Sequence, residues 1–260
     1  MKFLITIYTI WQRELIRYWR DKTRIISTFI QPLMFLAIFG LGLQSTLAAG
    51  NFGVDYLKFM YPGILAMSVM GVAFFSTIST VWDREFGFLK EILVAPVSRS
   101  AIAFGKTLGA TTIASIQALL LLVLAPLIGV NLNFTVVIEL FGIMLLLSLA
   151  ISGLGLLIAS LMRTTESFGL LMQLLIFPLF FLSGAFFPLT NVPVWMEWIS
   201  KANPLSYGVD ALRQIMLAGE VPAQVLSKLS VFNIPVDVMF LVGFALVMIV
   251  AAVAAFRKKA

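Results

Sequence analysis

Residues Leu140–Met162 read LFGIMLLLSLAISGLGLLIASLM, a stretch of 23 residues without one charged side chain. An α-helix rises about 1.5 Å per residue, so about 20 apolar residues cross the hydrocarbon core of a bilayer. The strands of a membrane barrel would alternate polar and apolar residues over about 10 positions, and this run does not alternate. The stretch therefore predicts a membrane-spanning helix.

Five more charge-free runs of at least 19 residues surround this one. They are Ile25–Val54, Phe59–Trp82, Thr107–Ile138, Ser167–Met196 and Val238–Phe256. The whole chain of 260 residues is 61% hydrophobic and 12% charged, whereas soluble domains have about 45–50% apolar and about 25% charged residues. We therefore predict an all-α integral membrane protein with six transmembrane helices.

Lys and Arg are distributed unevenly among the segments that flank these runs. Of the 18 basic residues, 14 lie in residues 1–24, in the segments after the second and fourth runs, and in the tail. Since basic residues collect in cytoplasmic loops, both termini should be cytoplasmic and the protein should reside in the plasma membrane. Residues 257–260 are then a basic cytoplasmic tail, and residues 189–237 form the long outer segment. The positive charge follows membrane topology and does not indicate nucleic-acid binding.

The absence of His and Cys excludes disulfides, zinc sites with N or S ligands, and Ser-His or Cys-His catalysis. Residues Gly105-Lys106-Thr107 resemble the end of a phosphate-binding Walker A loop, but that motif needs Gly at position 100, which is Ser. We predict no catalytic, cofactor or metal site, and we expect Lys106 to snorkel to the interface. Gly105 and Gly109 form a GxxxG pattern, which favours close helix packing.

Residues 2–24 repeat with helical spacing before the first run. One stripe is apolar and a second is basic: Leu4, Ile7, Trp11, Leu15 and Tyr18 in the first, and Arg13, Arg17, Arg20 and Arg24 in the second. The stripes fall on opposite faces of a helix. We predict an amphipathic helix in the cytoplasmic interface, with Arg toward lipid headgroups. It would be either a topology anchor alone or a docking surface for a cytoplasmic partner.

The cytoplasmic segment of residues 82–100 reads WDREFGFLKEILVAPVSRS. Charged and apolar residues mix here in a pattern that predicts a short amphipathic helix, which Pro96 ends. A loop of this length needs no helix to reverse the chain, and such a helix suits a groove on a partner. The alternative is a helix that lies flat on the membrane.

Two motifs resemble the ABC-2 type transporter permeases, the membrane subunits of bacterial and archaeal ABC exporters. The first is the loop motif, which comprises Arg84, Glu85, Gly87, Leu89, Glu91 and the run 93–99. The second precedes the last span and comprises Asn203, Pro204, Leu205, Ser206, Tyr207 and the run 210–213, which includes Asp210 and Arg213. Six spans, internal termini and the chain length also match that family. By this resemblance, residues 25–256 form one ABC-2 type transmembrane domain.

The resemblance implies that the loop helix is a coupling helix, which sits in a cleft of a separate ATP-binding cassette subunit. Residues 1–24 become a connecting helix beside it, carrying Arg13, Arg17, Arg20 and Arg24. The implied coupling residues are Arg84, Glu85, Phe86, Gly87, Phe88, Leu89, Glu91, Ile92 and Pro96. A second copy of the permease, or a related one, would complete the membrane part. ATP and Mg would bind the partner subunit, so this chain would not itself be an enzyme.

Three functions follow in order of preference. The first is export of a hydrophobic or amphipathic substrate, such as a drug, a lipid or a lipid-linked glycan. The second is a secondary carrier or channel that works without ATP, against which the lack of charges within the runs speaks. The third is a membrane scaffold that transports nothing.

Overall fold

The computed structural model describes residues 2–41, 55–94, 97–190 and 192–259, and every regular element in these ranges is a helix. The α-helices are α1 Lys2–Arg20, α2 Lys22–Phe35, α3 Tyr56–Ser76, α4 Ile78–Glu85, α5 Phe88–Val94, α6 Arg99–Leu122, α7 Phe134–Leu161, α8 Thr165–Phe181, α9 Val194–Ala202, α10 Pro204–Leu217, α11 Ala223–Leu229 and α12 Ile234–Lys259. A π-helical turn, Leu36–Leu41, extends α2, and a 3₁₀ turn, Ala125–Ile128, follows α6.

Four helical segments are long and apolar enough to cross a membrane: Tyr56–Glu85, Arg99–Leu122, Phe134–Leu161 and Ala223–Phe256. They confirm an all-α integral membrane fold. Of the other two predicted spans, Ile25–Val54 includes most of α2, and its residues 42–54 lie outside the described residues. The span Ser167–Met196 includes most of the 17-residue α8.

Helix α7 is the centre of the bundle and packs against α3, α6, α10 and α12. Small residues allow these close approaches. A Cβ atom on Gly155 would lie 2.8 Å from Oγ1 of Thr77, and the hydroxyls of Ser115 and Ser148 are 3.1 Å apart between α6 and α7. Small residues and interhelical hydrogen bonds are what hold helices together in lipid, where apolar burial alone contributes little.

The bundle has two structurally distinct ends. At one end, which we name the basal end, α1 packs against the first turns of α6, and Phe256 of α12 clusters with Ile102 of α6. The amino-terminal helix and the end of the last helix therefore share the basal end. The short helices α9, α10 and α11 form the opposite end, which we name the cap end.

Candidate functional site

Helix α1 lies on the GxxxG face of α6. A Cβ atom added to Gly105 would lie 2.8 Å from Cβ of Ile10, and one added to Gly109 would lie 2.8 Å from Cβ of Glu14. The predicted close-packing face is confirmed, and α1 is the helix that uses it. No larger side chain fits at either glycine without moving α1 away.

This packing brings Glu14 of α1 to Lys106 of α6, deep in the basal end. The Nζ atom of Lys106 lies 2.6 Å from Oδ2 of Asp83, 3.3 Å from Oε1 of Glu14 and 3.3 Å from Oγ of Ser79. Its side chain is only 1% exposed. The prediction that Lys106 snorkels to the interface is wrong, because α1 and α4 supply two carboxylates that hold the ammonium group inside.

Arg13 completes the buried ion cluster, which comprises Arg13, Glu14, Asp83 and Lys106. Its Nη2 atom lies 2.6 Å from Oδ2 of Asp83 and 2.8 Å from Oε1 of Glu14. Removing ions from water costs several kcal/mol each, and breaking one buried pair costs about 3–5 kcal/mol. Each member of this cluster therefore depends on the others.

Glu14 stays ionised within the cluster. Burial by itself would raise the pKa of this carboxyl, but the charges of Lys106 and Arg13 outweigh burial and lower the pKa to about 2. For Arg13, burial alone would lower the pKa, yet the carboxylates of Glu14 and Asp83 raise it above the ordinary value. The cluster therefore holds Arg13 and Glu14 as a charged pair at neutral pH.

The predicted basic stripe of α1 and α2 does not face the headgroups as a unit. Arg17 places its guanidinium 4.6 Å from the ring of Trp82 and 3.7 Å from Oδ1 of Asp83. Arg24 donates to Oγ of Ser76. Arg20, the remaining residue of the stripe, is exposed and makes none of these contacts. The predicted apolar stripe is also only partly right.

The buried positions of α1 are Ile10, Glu14 and Tyr18, whereas Leu4 is exposed. The reason is that α1 packs against α6 through a face that includes its one acidic residue. Glu14 belongs to neither of the two predicted stripes, so periodicity gave no indication of this face.

Helix α5 occupies the predicted coupling loop and has two different faces. Gly87 joins it to α4 with φ +81°, a conformation that favours glycine. On the inner face Leu89, 4% exposed, packs with Ile102, Leu156 and Phe256, and Ile92 lies against this group.

The outer face of α5 is open. Val94 is 86% exposed, and Phe88 and Glu91 are also exposed. Phe86, which follows α4 just before Gly87, is 79% exposed. Of the four predicted apolar contacts to a partner, the structure thus leaves Phe86 and Phe88 available and turns Leu89 and Ile92 inward. Pro96 lies outside the described residues.

Arg84 and Glu85, predicted to pair with charges on a partner, bind the junction between α7 and α8. Nη1 of Arg84 donates to the carbonyls of Ser160 at 2.9 Å and Met162 at 2.5 Å. Glu85 accepts from the backbone N–H of Thr165 at 2.8 Å and from its hydroxyl. A cation thus meets the carbonyl end of one helix and an anion the amide end of the next, which suits both helix dipoles.

The second motif builds the cap end. Asn203 caps α10 by accepting from Leu205 N–H at 2.9 Å, and its amide donates to the carbonyl of Leu179 at 2.6 Å. Pro204 follows as the first residue of α10, where its missing N–H costs nothing. The ring of Tyr207 stacks on Phe240 at 3.7 Å.

The charged residues of this motif hold chain segments that come from elsewhere. Oδ2 of Asp210 accepts from the N–H groups of Val231 at 3.0 Å and Phe232 at 2.8 Å. Arg213 donates to the carbonyl of Gly184 at 2.7 Å and lies 4.0 Å over the ring of Phe59. All five predicted residues of the motif are buried, so their role in the structure is to fix the cap.

Sequence reasoning missed the buried ion cluster. One signal was present, because Glu14 is the sole acidic residue on the otherwise basic helix α1. Across the described ranges, no three potential metal-ligating side chains come together.

A multi-pass helical membrane domain, with an amphipathic first helix and a short exposed helix tied to the ends of its spans, is suited to membrane transport. The family model described as ABC-2 type transporter matches residues 6–217. The chain therefore belongs to the ABC-2 type transporter permease family. It is a permease subunit without an ATPase domain, and membership implies an ATP-binding partner subunit.

Individual relatives agree with this assignment. The chain is 32% identical over 214 residues to the putative transport permease ycf38 of Cyanophora paradoxa, covering 81% of this chain and 74% of that protein. It is 29% identical over 242 residues to nodulation protein J of Rhizobium leguminosarum bv. viciae, with coverage of 91% and 92%. Identity to the probable multidrug ABC transporter permease YbhR of Escherichia coli K12 is 31% over 169 residues, covering 64% of this chain and 46% of that protein.

Proposed function

We propose that this chain is the membrane subunit of an ATP-driven exporter and that α5 is the coupling helix, which seats on a separate ATP-binding cassette subunit. The observation that carries the proposal is the exposed outer surface of this segment, where Phe86, just before α5, and Val94, at the end of α5, are almost fully uncovered. An apolar face on a short helix suits a groove on a partner. The inner face of the same helix is anchored through Leu89.

The contacts around α5 suit the transmission of force. Arg84 and Glu85 lie at the end of α4, just before α5. Arg84 binds the end of α7, and Glu85 binds the start of α8. The buried ion cluster ties α4 to α1 and α6, and the guanidinium of Arg13 lies 5.3 Å from the ring of Phe88. Helix α5 itself contacts α6, α7 and α12 through Leu89 and α1 through Phe88, so a displacement of α5 would reach four other helices directly.

The orientation follows from the basic residues. The basal end would be cytoplasmic, with both termini inside and the cap end outside the plasma membrane, because the basic flanks converge on the basal end. The helices α2 and α8 would complete six spans with the four long segments. Two permease chains, identical or related, would each dock one ATPase, and ATP with Mg would bind only there.

The substrate class is a hydrophobic or amphipathic compound. The spans contain neutral polar residues such as Gln31 and Ser68 among apolar ones, which suits a drug, a lipid or a lipid-linked glycan better than an ion. One relative is named as a probable multidrug permease and another as a nodulation protein. The first name supports transport of drug-like compounds, and neither name selects one substrate.

The test is purification of the tagged chain from its native membranes in mild detergent, followed by an ATPase assay. We expect a stoichiometric partner with a Walker A motif. Phe86→Asp and Val94→Asp should release this partner, whereas Leu127→Asp should not, since Leu127 is equally exposed (82%) but follows α6 at its far end. A chain that purifies alone and without ATPase activity, under conditions that keep other complexes intact, would overturn the proposal.

A further inference from the structure

A cleft of about 450 Å³ opens at the basal end between α2 and the junction of α3 with α4. Arg24, Thr28 and Gln31 line one side, and Phe75 and Trp82 line the other. A smaller cavity of about 70 Å³ shares Thr28, Gln31 and Phe75 with the cleft and continues it between α2, α3 and α8. Together they form one passage, which we name the α2 cleft.

The mouth of the α2 cleft carries a cation. The guanidinium of Arg24 donates to the hydroxyl of Ser76 at 3.0 Å, and within the described ranges no carboxylate forms an ion pair with it. Asp21 also lines the mouth, but its carboxylate accepts the backbone N–H of Arg24 at 3.0 Å. The guanidinium of Arg24 therefore has donors left for an external anion.

The inner part of the cleft holds an unpaired hydroxyl. Ser68 is 6% exposed, and its Oγ atom has no hydrogen-bond partner among the described residues. It lines the inner cavity with Gln31, next to Gly71, where an added Cβ would meet nothing within 4 Å. A buried hydroxyl without a partner is unfavourable, so this position is ready to bind a polar atom of a ligand.

The walls between these two points are apolar. The ring of Phe75 is exposed within the cleft, and Met67 and Ile176 line its inner part. The outer side of α2 continues the apolar surface with Met34 and Ile38 around a groove of about 310 Å³. A cation at the mouth and apolar walls behind it match a molecule with an acidic head and an apolar chain, and the hydroxyl of Ser68 suits a polar atom carried on that chain.

We propose that the α2 cleft binds an acidic amphiphile, with its anionic headgroup on Arg24 beside Trp82 and its chain running past Phe75 toward Ser68. Charge complementarity selects the headgroup, because Arg binds phosphate and carboxylate through paired N–H groups. The identification of this ligand as the transported substrate rests on the proposed function, whereas the binding itself does not need the ATPase.

Trp82 provides a direct probe. The chain has five Trp residues, and replacing the other four with Phe leaves Trp82 as the sole reporter at the mouth. The purified chain is titrated in detergent with phosphatidylglycerol and with phosphatidylcholine that carry identical brominated chains, which quench nearby Trp fluorescence. We expect the acidic lipid to quench at about tenfold lower concentration, since the headgroup gains a charge-assisted hydrogen bond.

Three variants locate the site. Arg24→Gln should abolish the tenfold preference, whereas Arg20→Gln should keep it, because Arg20 belongs to α1 and does not line the cleft. Ser68→Leu should fill the inner cavity and weaken both lipids alike. A chain that keeps only Trp198, which is exposed at the cap end, should show quenching without headgroup preference.

Several results would overturn the proposal. They are equal quenching of Trp82 by both lipids, quenching no stronger than that of Trp198, or displacement of the lipid by glycerol 3-phosphate alone, which would indicate a site for a soluble anion. Cross-linking of two chains through α2, together with absent quenching, would show that a second copy covers the cleft. If the single-Trp chain does not fold, native mass spectrometry of the wild-type and Arg24→Gln chains with the same lipids decides the question. If no ATPase copurifies with the chain, the preference for the acidic lipid should still be observed. Either proposal can therefore fail while the other holds.

Discussion

The Nζ atom of Lys106 lies 2.6 Å from Oδ2 of Asp83, and both side chains are buried. The same carboxylate oxygen accepts from Nη2 of Arg13, also at 2.6 Å. One oxygen atom thus joins α6, α4 and α1, which are a helix long enough to span the membrane, the helix that leads into the predicted coupling loop, and the amino-terminal helix. A membrane protein with few charges has concentrated four of them at the point where these helices meet.

Removing the central cation should destabilise the protein strongly. Lys106→Met leaves Asp83 and Glu14 with Arg13 as their close cation, and we expect a loss of about 3 kcal/mol. This corresponds to a fall of roughly 5–10 °C in the thermal midpoint of the detergent-solubilised chain. Lys201→Met is the control, because Lys201 forms an exposed pair with Glu197, and such pairs contribute little.

The double variant Asp83→Asn with Lys106→Met tests the pairing itself, because it removes both charges at once. Its loss of thermal midpoint should be smaller than the sum of the losses of the two single variants, since each single variant leaves the other charge buried with one partner fewer. If Lys106→Met melts like the control, the buried ion cluster does not stabilise the basal end.

Acid should weaken the docking of α1. The pKa of Glu14 is about 2, well below its ordinary value of 4.5. The unfolded chain therefore binds a proton at higher pH than the folded chain, and the stability due to Glu14 is present above about pH 4.5 and lost toward pH 2. By linkage this amounts to about 3 kcal/mol.

The thermal midpoint measured from pH 6 to pH 3 should fall for the wild-type chain, and more gently for Glu14→Gln. The Gln variant starts lower, because it leaves Lys106 with one carboxylate fewer. Parallel curves for the two chains would show that another group dominates the acid response.

Enlarging the GxxxG glycines should detach α1. Gly105→Leu places a side chain where Ile10 already lies 2.8 Å from the Cβ position, so α1 has to move outward. Trypsin should then cleave faster at Arg13 and Arg17, which are held against Asp83 in the intact protein. Gly142→Leu is the matched control, since nothing lies within 4 Å of its Cβ position. Equal cleavage in both variants would contradict the packing of α1 on this face.

The junction of α7 and α8 should loosen without Arg84. Arg84→Gln removes the guanidinium that binds the carbonyls of Ser160 and Met162. We expect trypsin to cleave several-fold faster after Arg163, which lies in this turn. Glu166→Gln changes a neighbouring exposed charge and should leave the rate unchanged. Protection that persists in Arg84→Gln would mean that these contacts do not hold the turn.

Local sequence patterns predicted what depends on near neighbours. The run Leu140–Met162 lies in α7 except for Met162, which caps the end of that helix, and Gly105 and Gly109 do provide a close-packing face. Contacts between distant positions were not predictable in this way. Glu14 and Lys106 are 92 positions apart, so no periodicity shows that one neutralises the other.

The predicted coupling loop shows the same limit of sequence patterns. Its amphipathic character correctly predicted a short helix. The sequence around Arg84 and Glu85 would look the same whether these side chains bound a partner protein or a neighbouring turn of this chain. Only the position of α7 and α8 shows that their partners are helix ends. The motif at residues 203–213 was likewise recognisable in the sequence, whereas the hydrogen bonds that it makes to other segments were not predictable.

The packing of α1 on α6 has a consequence for biosynthesis. Helix α1 leaves the ribosome before the residues that it binds, because Asp83, Lys106, Gly105 and Gly109 are made some 70 to 95 residues later. Until the span containing α6 has entered the membrane, Glu14 has no ammonium group beside it and Ile10 has no glycine to pack on. Helix α1 therefore cannot reach its final position until α4 and α6 have been synthesised, whereas neighbours in sequence can pack as soon as they are made.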